Sequence, residues 1–331
     1  MKSVKRILGF WCVLACFCAG FAAGQNSGAA TGQPPNVQAT AQNPLKVALL
    51  HWYKADLATK FPVDDEPEGL AFDGANIWAS SFFHGTVTKL RAIDGANLGK
   101  FTVGGEAAGV TFDGADIWVS NNAFGATTVT KLRASDGALL GTFSVGGASF
   151  WMCFDGANIW VPNSSNTVTK VRASDGKNLG SFKVGNAPIA AAFDGTDVWI
   201  TNNGDGTVTK LRASDGTVLG TFTVGTAGQQ PFGVAFDGQS IWVAVRYANA
   251  LVKLRPTDGA ILGTFPVPGS PDGVLFDGAN IWTTMDSTIV VLRPSDGAIV
   301  NQIPAFQTTG IAFDGAYVWA GSFDTNVVFK F

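Results

Sequence analysis

A chain of 331 residues with 11% aromatic and only 14% charged side chains has ample material for a large core, and that composition excludes a disordered or highly charged protein. The formal charge is −3 and no basic stripe occurs, which removes the electrostatic footprint of a nucleic-acid binder.

In chain order, the first element is a targeting segment. A short basic stretch, MKSVKR, precedes an apolar run that closes on small residues, so residues 1–24 read as a signal peptide cleaved after Gly24. The expected location is therefore periplasmic, secreted or cell-surface, with no membrane span after processing. The tetrapeptide Val13 to Cys16 is an imperfect lipobox, and its use would anchor the chain through a lipid on Cys16. Cys12, Cys16 and Cys18 all lie in this leader, so the processed chain keeps Cys153 alone and has no internal disulfide. Residues 25–44 are polar, rich in Gly and Pro and aperiodic, and read as a flexible linker.

From residue 45 to 331 the chain is a tandem repeat. The frame FDG-x-x-[IV]-W recurs seven times, with its Asp at 73, 113, 155, 194, 237, 277 and 314 and a Trp five residues after each. A period near forty residues signals a propeller or a repeat array. Each unit holds four short runs of β-branched and alternating residues divided by Asp-Gly turns, with no helical periodicity. The predicted fold is all-β: a seven-bladed β-propeller of four-stranded antiparallel blades. The seventh copy stops at Phe331 after its third strand, and the missing strand stands upstream as LATKFPV, Leu57 to Val63. The N-terminal strand is thus expected to complete the last blade, and the chain to be a monomer. Each FDG is expected to be the turn between first and second strands, with its Trp packed between blades.

The second strand and its exit read WVSN from Trp118, WVPN from Trp160 and WITN from Trp199. This resembles the YVTN-type propeller repeat with Trp in place of Tyr, and is similar to the wider group of NHL-repeat and virginiamycin B lyase-like propellers. The resemblance covers about residues 45–331. It implies an exported or surface protein with a binding face around a central channel. For the lyase branch it implies a His base and Glu-bound magnesium in the late blades. Here the two His residues, His51 and His84, are early, and Glu66, Glu68 and Glu106 are the only Glu residues, so that chemistry is not carried over.

Departures from the repeat on the loop face mark the candidate site. The positions that lead each first strand are Glu68, Ala108, Phe150, Ile189, Phe232, Asp272 and Thr309, each followed by Gly or Ala except where Trp151 stands. Trp151 is expected to be a channel plug or a stacking platform. In the loops between second and third strands, Arg246 and Tyr247 break the pattern most, while His84, Phe124, Asp205 and Asp286 are smaller departures. The candidate ligand-binding residues are Glu68, Phe150, Trp151, Phe232, Arg246, Tyr247 and Asp272, which combine apolar surface with a few polar groups. Cys153 reads as a small buried hydrophobe. No nucleophile–base set, phosphate loop or zinc signature occurs. The reading is a binding or scaffold protein for a protein, peptide or small molecule, without a cofactor. The alternative is a metal-dependent lactonase or lyase-type enzyme with Glu68, Asp205 and Asp272 as metal ligands.

Overall fold

The computed structural model describes residues 58–331 except 124 and 227. The signal peptide, the linker, Cys16, His51, Leu57 and Phe124 lie outside the described residues.

Seven four-stranded antiparallel sheets form the blades of a propeller. Blade one, for example, runs Pro67–Phe72, Asn76–Ser81, Thr86–Arg91 and Asn97–Thr102 in order from the channel outward. Blade seven combines Thr308–Phe313, Val318–Ser322 and Val327–Lys330 with Thr59–Pro62 as its outer strand, and Thr59 faces Lys330 while Pro62 faces Val327. The upstream strand therefore closes the ring, within the stretch Leu57 to Val63 that the repeat arithmetic singles out. A short 3₁₀ turn, Arg246–Ala248, interrupts blade five. Among the described residues no helix is long and apolar enough to cross a membrane.

The repeated residues form one device. In FDG, the Asp Oδ1 accepts backbone N–H bonds from the residues two and three positions later, as Asp155 does at 2.9 and 2.7 Å. The Gly after it takes a positive φ, +96° at Gly156, where a side chain would be strained. The other oxygen, Oδ2, accepts the indole N–H of the Trp five residues on, at 2.6–2.8 Å in every blade. The period of five is therefore the reach from a turn carboxylate to a ring on the next strand. A hydrogen bond to a charged partner contributes on the order of 1.5–3 kcal/mol.

Each ring then meets a third-strand Lys. The Nζ of Lys89, Lys131, Lys170, Lys210, Lys253 and Lys330 lies 4.9–5.3 Å from the ring centre of its blade's Trp. Each also donates to a carbonyl in the third-to-fourth turn of the next blade, such as Lys170 to Ala213 at 2.6 Å. A cation–π contact and a charged hydrogen bond thus tie each of these blades to its successor. The fourth-strand Phe stacks on the same Trp, as Phe101 does on Trp78 at 5.4 Å.

On the loop face a second ring of ties runs near the channel. Ser80 Oγ accepts the N–H of Gly69 and donates to the carbonyl of Ala108 in blade two. Thr201 and Thr284 do the same for blades four and six. The inner strands approach so closely that a Cβ on Gly69 would overlap Ala108 O, and one on Gly233 would overlap Asp272 O. The small residues at that register exist because the next blade's backbone occupies the space.

Candidate functional site

Blade three breaks both inner rules. Pro162 replaces the bridging hydroxyl, and the first strand shrinks to Cys153–Phe154. Trp151 instead bridges to blade four in parallel register: its N–H donates to Ile189 O at 3.0 Å, and its carbonyl accepts from Ala191 N–H at 3.1 Å. Its side chain is 0% exposed and meets Phe232 of blade five at 5.7 Å. The contact reaches past blade four at the inner edge of the ring, and a Cβ on Gly109 of blade two would overlap the same residue, so Trp151 is packed among the inner strands of several blades. Phe150 joins the same apolar cluster. The indole N–H of Trp151 is buried with no hydrogen-bond partner.

Phe232 leads on to a charged pair. The guanidinium of Arg246 sits 4.2 Å above its ring centre. Arg246 Nη2 donates to Asp272 Oδ2 at 3.1 Å, and its Nε lies 2.5 Å from Oδ1. The second contact is ionic without hydrogen-bond alignment, since Oδ1 makes no geometric hydrogen bond. Trp151, Phe232, Arg246 and Asp272 thus form one continuous chain of contacts from the inner edge of blade three into blade six. Burial pushes the Asp272 carboxyl up to about 6; Arg246 pulls it down, and the Asp286 charge adds to the rise. Desolvation outweighs the ion pair here, as it often does when both charges leave water.

The other predicted residues lie elsewhere. Glu68 is buried at the inner edge of blade one, 1% exposed. Tyr247 follows Arg246 in the 3₁₀ turn and is 63% exposed, so it is a surface group beside the pair. Cys153 is buried. Asp205 is tied to the loop that enters blade four, accepting from the backbone N–H and the side-chain amide of Asn186 at 2.6 and 2.7 Å. Among the described residues no three His, Cys, Asp or Glu side chains are grouped to share a metal ion, so Glu68, Asp205 and Asp272 do not form a common ligand set.

A cleft of about 300 Å³ opens beside this chain of contacts, between the loop that leaves blade five and the second-to-third loop of blade six. Pro268, Gly269, Ser270, Met285, Asp286, Ser287, Thr288 and Gln302 line it. It abuts the Arg246 turn, since Ser270 Oγ donates to Arg246 O at 3.2 Å. The lining offers one carboxylate, three hydroxyls and one amide, and holds no Lys, Arg or His. Only Asp286 of this group stands out as a sequence departure. A second signal was present: Trp282 to Thr288 spans six residues where Trp199 to Thr207 spans eight. The shorter loop leaves room that its counterparts fill.

No protein-family model matches the chain, and no curated protein matches it. Solved structures do. A streptogramin B lyase structure aligns with 83% of this chain and 96% of its own, at 18% identity and a TM-score of 0.71. Hydrazine synthase of Kuenenia stuttgartiensis aligns with 83% of this chain and 97% of its own, at 15% identity and a TM-score of 0.72. Two proteins whose names denote such different chemistry share one architecture, so the fold by itself assigns no activity. At that level of identity the likeness is one of fold, and the chain is identified as a seven-bladed β-propeller.

Proposed function

We propose that the chain is an exported binding protein that holds a small, neutral or cationic, hydroxyl- or amine-bearing ligand in the cleft of blade six. The observation that carries this reading is the lining: one carboxylate, three hydroxyls and one amide border the cleft, from Asp286, Ser270, Ser287, Thr288 and Gln302, with no cationic group. Such a set suits the many donors of a sugar, polyol or amino sugar and disfavours phosphates and carboxylates. A volume of about 300 Å³ accommodates a molecule of roughly one to two sugar rings. The Arg246–Asp272 pair supports the wall: it fixes the turn whose carbonyl holds Ser270. Export rests on the basic and apolar leader of residues 1–24.

The test is a thermal-shift panel of monosaccharides, disaccharides, polyols, amino sugars and sugar phosphates. The reading expects neutral or amino members to raise the melting temperature, and expects Asp286→Ala to abolish that shift. A panel that only the phosphates stabilise, or that nothing stabilises, would overturn it.

A further inference from the structure

On the loop face, the residue that leaves the second strand donates its N–H back to the loop that enters the same blade. Asn122, Ser164, Asn203 and Arg246 do so in blades two to five, and all four carry polar or charged side chains. In blades one and seven the residue is aromatic: Phe82 N–H donates to Glu66 O, and Phe323 N–H donates to Gln307 O. These two blades stand at opposite ends of the repeat and side by side in the ring, where Thr309 Oγ1 donates to Pro67 O. Closure therefore brings the two rings together, with centroids 6.4 Å apart. Phe83 adds a third ring, edge-on to Phe82 at 5.0 Å and to Phe323 at 6.2 Å. Phe82 is buried, Phe323 is half-buried and Phe83 is 58% exposed. Three joined rings with one turned to solvent make an apolar patch rather than a scattered surface residue.

Acidic groups border the patch. Asp65 and Glu66 lie on the loop that enters blade one, and Asp324 follows Phe323 in blade seven. Asn326 of blade seven holds the first two in place: its Oδ1 accepts the Glu66 N–H at 3.1 Å, and its Nδ2 donates to Asp65 Oδ1 at 2.6 Å. Glu66 Oε2 is buried with no hydrogen-bond partner among the described residues. Burial raises the Glu66 carboxyl above its ordinary range; the charges of Asp65 and Asp324 add to the rise and His84 opposes it. The three carboxylates therefore act on one spot. Among the described residues their one ion pair is that of Asp65 with His84, at 3.8 Å, and no Lys or Arg pairs with any of them. The opposite face differs: six turn aspartates each pair with the Arg three residues before, as Asp94 does with Arg91 at 3.0 Å.

We propose that this patch is a docking surface for a partner protein, which presents an arginine side chain flanked by apolar residues to the junction of blades one and seven. The guanidinium stacks on Phe83 and offers its N–H fork to Glu66 and Asp324, while the apolar neighbours cover Phe323. Charge complementarity selects arginine. A cation answers the three carboxylates, a planar one lies on a ring, and a fork of donors reaches an oxygen that has none. The surface shares no residue with the lining of the blade-six cleft.

Selection of a phage-displayed library of random heptapeptides on the full-length chain tests this. Peptides with Arg beside an aliphatic or aromatic residue should be enriched, and they should not bind the Phe83→Ala chain. In the best peptide, citrulline in place of Arg keeps the shape and removes the charge; it should weaken binding about tenfold or more by fluorescence anisotropy. Glu66→Gln and Asp324→Asn should each weaken it roughly fivefold. Phe83 and Asp324 are exposed, so their variants should melt within about 2 °C of the parent, and a loss of binding then reports the surface and not the fold. Asp286→Ala should leave the peptide affinity unchanged; a loss there would place the peptide in the cleft and overturn the proposal. Enrichment of neutral or acidic peptides, no enrichment at all, binding that survives Phe83→Ala, or equal affinity for the citrulline peptide would also overturn it. N-acetylarginine amide bound as tightly as the peptide would assign the patch to a free small cation instead of a protein. Sedimentation should show the parent chain monomeric; a dimer that Phe83→Ala disperses would assign the patch to a second copy and overturn the proposal.

Discussion

Lys330 Nζ lies 2.7 Å from the carbonyl oxygen of Ala92, and through it the last blade grips the first. The same side chain covers Trp319, whose indole is held by Asp314 at 2.8 Å. Closure therefore uses the staple that joins most neighbouring blades, with Phe61 adding the ring that stacks on Trp319 at 5.4 Å.

That reuse makes the staples comparable. Lys170→Met removes a charged hydrogen bond and a cation–π contact while keeping the stem, and should destabilise the fold by about 1–3 kcal/mol. Val291→Lys should not stabilise blade six, because among the described residues no third-to-fourth turn in blade seven offers the carbonyls that the other lysines use. Chemical denaturation of both variants checks this pair; a gain from Val291→Lys would show that an acceptor is present.

Deleting residues 1–44 should leave a folded, soluble protein, because the outer strand of blade seven survives. Deleting residues 1–64 removes Thr59–Pro62 and leaves Val327–Lys330 as an open edge, which should drive aggregation. Light scattering of the two truncations decides, and equal solubility would contradict the closure.

Much of this was legible in the sequence. The period, the Asp-Gly turns and the displaced fourth strand follow from local chemistry, since Asp155, Gly156 and Trp160 act within six residues of one another. The site was legible in part. Trp151, Phe232, Arg246 and Asp272 stand out because they replace a repeated residue, and the structure joins them. Ser270, Ser287, Thr288 and Gln302 are ordinary loop and strand residues whose convergence depends on two adjacent blades. Glu68 shares a register with Asp272 but lies in blade one, so a shared position in the repeat did not bring the two into one cluster.

Trp151→Gly should cost several kcal/mol, of the order of 3–5 for a buried aromatic, because the ring is wholly buried among inner strands. Trp151 should also be shielded from acrylamide in the parent protein. A variant that melts like the parent would show that the ring carries no packing.

The Asp272 carboxyl gives a pH dependence with a definite sign. Its pKa in the fold is raised from 3.8 to about 6, so the folded state binds the proton more tightly than the unfolded chain. The stability it contributes is full below about pH 4 and is lost as the pH rises through 6. Two pKa units correspond to roughly 3 kcal/mol. Asp272→Asn mimics the protonated acid; it should match the parent near pH 4 and exceed it in stability at pH 8. Urea melts at the two pH values measure the difference. A variant weaker than the parent at pH 8 would show that the pair with Arg246 outweighs the desolvation.

Cys153 should resist a water-soluble thiol reagent in the native state and react after unfolding, since its side chain is 0% exposed. Fast native labelling would mean that the inner edge of blade three opens in solution.

The central claim is that ligand is held in the blade-six cleft, and amide hydrogen exchange with and without the best ligand of the panel tests it most directly. Protection should concentrate in residues 269–270, 285–288 and 302, with the Asp-Gly turns of the opposite face unchanged. Protection confined to those turns, or spread evenly over all seven blades, would contradict the account.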